Sequence, residues 1–227
     1  MPIKIVDNLN LDEVVALHGT SIQAALAFQG GEPMRPKYFG GPVDEYMYFI
    51  PVKKQFIGHP LYDILQDATE FDIYHHAMRF AENAAVRDYA NFEAAMFIPE
   101  SLNITDFAFN PQARHAIFNG LESDYCNNLP PDVKQDIDFV VRGFLDAGLP
   151  FEKVQRILQQ SILMRGVILG LGTNFLELPL EIDYTAEFGG SAFVKVKLSG
   201  GLNPSYVQCI KPVGTIESSM YLDAANN

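Results

Sequence analysis

Cysteine is scarce in this sequence, cations are few, and long apolar runs are missing. The 227 residues hold two cysteines, Cys126 and Cys209, with no CxxC spacing. Two thiols cannot make a disulfide framework, and without paired spacing they do not build a zinc site. Ordinary buried thiols, in a chain made in a reducing compartment, are the expectation. Lys and Arg number 16 against 28 Asp and Glu, a formal charge of −12. So acidic a chain is repelled by phosphate backbones and anionic lipid, so neither nucleic acid nor a membrane is an expected partner. The most apolar window, Ile162 to Leu171, is short and contains Arg165. No transmembrane helix is expected from it. The opening MPIKIVDNLN has neither a basic n-region nor a long apolar h-region, so no classical signal peptide is expected.

What is present is globular. Hydrophobic residues make up 48%, charged residues 19%, and mean hydropathy is +0.03. That is enough apolar surface for a sizeable core, in one domain spanning 1–227 or in two very small ones. Val14–Leu17 reads as a buried strand, and Ser21 as the N-cap of a short helix over 22–28 stopped by Gly30-Gly31. Residues 32–44 read as loop, and 47–52 as a strand ending at Pro51. Spacings of three and four among Tyr74, Ala77, Met78, Ala81, Ala85 and Tyr89 predict a helix within 63–89. Strands are expected over 92–98 and 104–109.

Residues 111–165 differ. Pro111, Pro130-Pro131 and Pro150 each open a helical pattern, forming a block between two strand-rich stretches. Strands follow over 166–171, 193–198, 206–213 and 220–222. Phe193, Val196 and Leu198 are expected on one face against Lys195 and Lys197, with Gly200-Gly201 as the turn to the next strand. The class is α+β, without the strict βαβ alternation of a dinucleotide-binding sheet.

Local chemistry is sparse. His75 and His76 diverge by about 100° on a helix, and Asp72 with His76, even with His59 considered, supplies too few ligands for a metal. Ser21 and Ser161 lack any GxSxG context for a nucleophile.

Four pieces, in this order, resemble the ADP-ribosyltransferase superfamily, in its diphtheria-toxin and poly(ADP-ribose)-polymerase branch. They are Leu17-His18-Gly19-Thr20-Ser21, Tyr48-Phe49, the alanine-rich helix ending Arg87-Asp88-Tyr89-Ala90, and Phe193–Leu198 followed by Pro204–Gln208. The resemblance implies split antiparallel β-sheets with flanking helices, with 111–165 as a helical insertion. It implies NAD as substrate, held by His18, Gly19 and Thr20, with Tyr48 and Tyr89 at the nicotinamide; Tyr46 is a rival for Tyr48. It implies mono-ADP-ribosyl transfer, a glycosyl transfer, to a protein acceptor with release of nicotinamide. It further implies an effector or toxin that works in the cytoplasm or is delivered into a host cell by a non-classical route.

Such chemistry passes through an oxocarbenium-like ribose. The nicotinamide leaves as its positive charge is discharged, so no general acid is required. A carboxylate on the ribose 2′-hydroxyl would stabilise the developing cation. The family places that glutamate near Ala192-Phe193, where this sequence has none. Glu187 and Glu217 are the two candidates that remain. The alternative is a catalytically inactive module of the same fold that binds NAD or a protein.

Overall fold

The computed structural model describes residues 3–34, 46–94, 112, 116–117, 119–122, 124–163, 166–188, 190–198 and 200–213. A two-residue strand, β1 (Lys4–Ile5), precedes β2 (Ala16–Thr20). The apolar run at 14–17 thus forms its strand two residues late, and His18, Gly19 and Thr20 lie inside it. Ser21 then caps α1 (Ile22–Gln29), accepting the Ala24 N–H at 3.2 Å. Gly31 takes φ 92°, a left-handed turn that ends the helix. Ser21→Ala should cost about 1 kcal/mol, lowering Tm by roughly 2–4 °C. An unchanged Tm would show that the Ala24 N–H is satisfied without the hydroxyl.

Strand β3 spans Tyr46–Pro51. The long helix α2 spans Glu70–Ala94. It starts later than the pattern predicts, and Phe92–Ala94 are its last turn rather than a strand. The rest of the strand expected at 95–98, and those at 104–109 and 220–222, lie outside the described residues. In the central block, α3 (Asp124–Asn127) is a single turn. Pro131 opens α4 (Pro131–Asp146), and Pro150 precedes α5 (Phe151–Leu163). Gly148, at φ 88°, turns the chain between them. Strands β4 (Val167–Leu171), β5 (Glu181–Phe188), β6 (Ser191–Lys197) and β7 (Val207–Pro212) follow.

Among the described residues the seven strands form one mixed sheet, ordered β1-β7-β4-β2-β3-β6-β5. All pairs are antiparallel except β1 with β7. The hairpin expected at Gly200-Gly201 is not there. Strand β6 pairs with β3 and β5, whereas β7 pairs with β4 and β1, near the other end of the sheet. Instead of turning back, the chain after β6 crosses to Met34, bridged by Leu202 through both main-chain bonds.

Three apolar clusters organise the fold. One face of the sheet carries Ala16, Phe49, Leu169, Val194, Val196 and Ile210, covered by Ala25 and Phe28 of α1 and by Phe175. The other carries Leu17, Ile50, Ile168 and Phe193, covered by Ile73, Ala77 and Ala81 of α2. The expected alternation on β6 therefore fails at one residue. Phe193 shares the lysine face, because α2 lies over that end and gives it an apolar partner.

The helical block has its own core of Val133, Ile137, Val140, Phe144, Val154, Ile157 and Leu158, with Ala116, Ile117, Leu129 and Leu149. It meets the rest of the molecule where α5 packs on α2.

Candidate functional site

The centre of the sheet is nearly divided in two. Strands β2 and β3 share only two residue pairs, Ala16↔Pro51 and Leu17↔Ile50. In that register His18 would next face Phe49, and Gly19 would face Tyr48, but the ladder has ended. Beyond this point β3 pairs with β6 through Tyr46–Phe49, while β2 stays with β4 as far as Thr20. The strands part at the His-Gly-Thr segment, leaving the half-sheets β1-β7-β4-β2 and β3-β6-β5 joined by a short stretch of ladder.

The His18 side chain spans the parting. Its Nδ1 lies 2.9 Å from the Tyr48 carbonyl oxygen. A carbonyl only accepts, so Nδ1 carries the proton and donates. In the neutral ring Nε2 is then an acceptor. Burial pushes the His18 pKa below its ordinary value, and the bond to Tyr48 opposes this only in part. The neutral imidazole is thus the form held near pH 7, and its ring rests against Phe49, 5.2 Å between centroids.

Gly19 is required for packing. A Cβ there would lie 2.3 Å from the Ala77 carbonyl oxygen and 2.4 Å from the Ala81 nitrogen, both main-chain atoms of α2. Helix α2 therefore crosses directly over Gly19. Its main-chain groups point elsewhere. The Val52 N–H bonds the Val15 carbonyl. The alternation of an antiparallel ladder then turns the groups of Leu17 and Gly19 toward β3, which at Gly19 means into the parting. Thr20 ends the strand, buried opposite Val167.

The structure brings the His18 side chain to the main chain of Tyr48. The His18 ring lies against Phe49, and alternation puts the Tyr48 ring on the other face. There Tyr48, 37% exposed, stands in a cross-strand row with Lys195 and Glu181. Tyr46 is in the neighbouring row opposite Lys197, and the Lys195 Nζ lies over its ring, 4.9 Å from the centroid. Phe193 closes the α2 end of this face, edge-on to Phe80 at 5.7 Å and to His76 at 6.5 Å.

Two other expected residues stand farther along the backbone. Tyr89 is on α2, eight residues past the Ala81 that covers Gly19, about 12 Å along the axis. Glu187 pairs with Ala192, three residues along β6 from Lys195, or about 10 Å. Glu217 lies outside the described residues.

Strand β5 brings two acids that residue spacing does not reveal. Glu181 is exposed opposite Lys195, and Asp183 is 5% exposed opposite Phe193. The signal was present in Ile182, Tyr184 and Thr185, all good strand formers. A break in register between Asp183 and Glu187 interrupts the alternation that would have exposed it.

Among the described residues no three His, Cys, Asp or Glu side chains are grouped to hold a metal ion. No described helix is long and apolar enough to cross a membrane. A cavity of about 170 Å³ lies elsewhere, between Leu11, Val52, Lys54, Ala68, Glu70 and Ile73. Lys54 is already engaged there by Asp12 at 2.6 Å and Glu70 at 3.3 Å. No protein-family model, no curated protein and no solved structure matches this chain.

Proposed function

We propose that this chain binds NAD at the parting of β2 and β3 and transfers its ADP-ribose to a protein acceptor, releasing nicotinamide. The observation that carries the reading is the end of the ladder at Leu17–Ile50, with His18 bonded across the gap to Tyr48. The end of the ladder leaves the main-chain groups of Gly19 turned toward β3 without a strand partner there, which supports a ligand at this place.

Each group there suits part of a dinucleotide. The His18 Nε2 accepts from a ribose hydroxyl, as its other nitrogen is committed to Tyr48. The N–H and C=O of Gly19 match the carboxamide of nicotinamide, which presents one acceptor and one donor. The Tyr48 ring, partly exposed, offers a stacking face for the pyridinium. An extended dinucleotide reaches from the His18 face to the Tyr48 face across the parted edge.

One observation favours a second reading, a binder without turnover. Phe193, 6% exposed and packed on His76 and Phe80, occupies the place where the resemblance expects a carboxylate.

The test is nicotinamide release from NAD by purified protein, with and without cell lysate, beside the thermal shift caused by NAD. Lysate-dependent release supports transfer. A shift without release supports the binder. Neither shift nor release removes NAD from the account.

A further inference from the structure

The sheet ends on one side at β1, two residues long, and on the other at β5, whose eight residues make it the longest of the described strands. An open edge is a row of unpaired main-chain groups, which proteins blunt with shortness, lysine or proline. Shortness blunts β1. Strand β5, with the sequence EIDYTAEF, has neither lysine nor proline. We infer that this edge takes up an extended, lysine- or arginine-bearing segment of another protein as an added strand, beyond β6 from the β2–β3 parting.

The pairing tells which main-chain groups point outward. The Tyr48 carbonyl points toward β2, where His18 bonds it. Opposed residues of an antiparallel ladder either both face each other or both face away. Lys195, opposite Tyr48, therefore faces β5, and Glu181, opposite Lys195, faces back to it. The next residue is turned the other way, so the N–H and C=O of Ile182 point out of the edge. The same alternation turns out those of Tyr184, where the register breaks. Among the described residues no strand takes these groups up.

Charge selects the occupant. No Lys, Arg or His stands between Arg165 and Lys195, whereas Glu177, Glu181, Asp183 and Glu187 do. Asp183 is buried, but Glu181 is exposed at the edge. Lys195 lies opposite Glu181, yet its Nζ is drawn over the Tyr46 ring, and among the described residues no ion pair joins the two. A second copy of this chain fits badly. Two β5 strands related by a two-fold at Ile182 set Glu181 against Asp183, and at Tyr184 they set Glu181 against Glu187, like charges directly opposed. A basic strand fits both faces. Alternation puts Glu181 and Tyr184 on opposite faces of β5. A segment alternating cations with β-branched residues therefore sets its cations beside Glu181 and its apolar side chains on the Tyr184 ring, which is 77% exposed. The main-chain bonds supply affinity, and the side chains supply selectivity.

The test is fluorescence anisotropy of a labelled peptide alternating Lys and Val, beside its counterpart with Glu for Lys. It is run on wild type, Glu181→Lys, Tyr184→Pro and Asp138→Lys. Proline at 184 removes an outward N–H and leaves the bonds to β6 in place. Asp138→Lys makes the same charge change as Glu181→Lys, on the exposed side of α4. Wild type and Asp138→Lys should bind the Lys peptide alike, more weakly at high salt, and should not bind the Glu peptide. Glu181→Lys and Tyr184→Pro should each weaken binding about 10-fold. If Tyr184→Pro does not fold, Glu181→Lys, a change at an exposed side chain, decides. No binding by wild type overturns the inference. So does an equal loss in Asp138→Lys, which would make the attraction one of overall charge. Sedimentation showing a wild-type dimer that Tyr184→Pro splits would give the edge to a second copy, which overturns it too. None of these readouts involves NAD, so their failure leaves the NAD reading standing.

Discussion

Alanine at position 19 is expected to lower Tm by roughly 6–12 °C. The added Cβ meets the Ala77 carbonyl oxygen at 2.3 Å and the Ala81 nitrogen at 2.4 Å. Both belong to the backbone of a 25-residue helix, so neither can rotate away as a side-chain end would. Helix α2 must lift off β2, separating it from Leu17 and Ile168 beneath it. Overpacking of this kind reaches about 3 kcal/mol, a large share of the 5–15 kcal/mol that typically holds a domain together. Gly200→Ala is the control, since nothing lies within 4 Å of where its methyl would stand and its φ is ordinary. A Gly19→Ala protein melting within about 2 °C of wild type would show that α2 does not press on β2 as described.

The second large effect is expected from His18→Phe, which keeps a ring against Phe49 but removes the donor to Tyr48. Loss of a hydrogen bond of this kind costs about 0.5–1.5 kcal/mol, and loss of the Nε2 acceptor should weaken NAD binding roughly 5- to 10-fold. Stability should also respond less to acid. Folding lowers the pKa of His18 from 6.5, so as pH falls below that value the unfolded chain takes up its proton first. Wild-type stability therefore declines as pH drops through 6.5 and levels off once the folded histidine also protonates. Above that range both states are neutral and His18 contributes no slope. His76 is shifted in the same direction, mainly by burial and then by Arg79, and stays in the variant. The difference in Tm between pH 7.5 and pH 5 should thus shrink in His18→Phe without vanishing. An unchanged difference, together with unchanged NAD affinity, would reduce His18 to a ring in the core.

Much of the local structure was legible from single residues and their spacing. Ser21 marks the start of α1, Pro131 and Pro150 the openings of α4 and α5, and Gly148 the turn between them. These are near-neighbour effects, decided by backbone donors, fixed φ and one or two turns of side-chain spacing. Strand β5 is hidden because its period-two pattern is interrupted by an irregular register. Phe193 leaves the face that alternation gives it because its apolar partners, His76 and Phe80, come from a helix more than 100 residues earlier. The hairpin at Gly200-Gly201 is expected because glycines permit a turn. Whether the chain uses one depends on where the next strand finds its partner, and β7 finds it in β4 and β1.

At the site, the residues alone indicate that a histidine and a glycine follow an apolar run, that Tyr48 stands on a strand, and that the chain is acidic and α+β. These depend on residue type and local periodicity. Long-range packing is what separates β2 and β3 just past Leu17, sets the His18 ring on the Tyr48 main chain and not its ring, and brings the acid in the Tyr48 row from β5. Those outcomes depend on which strands lie side by side. That order was settled by burying Phe49 and Val194 on one face of the sheet and by seating α2 on Gly19 at the other.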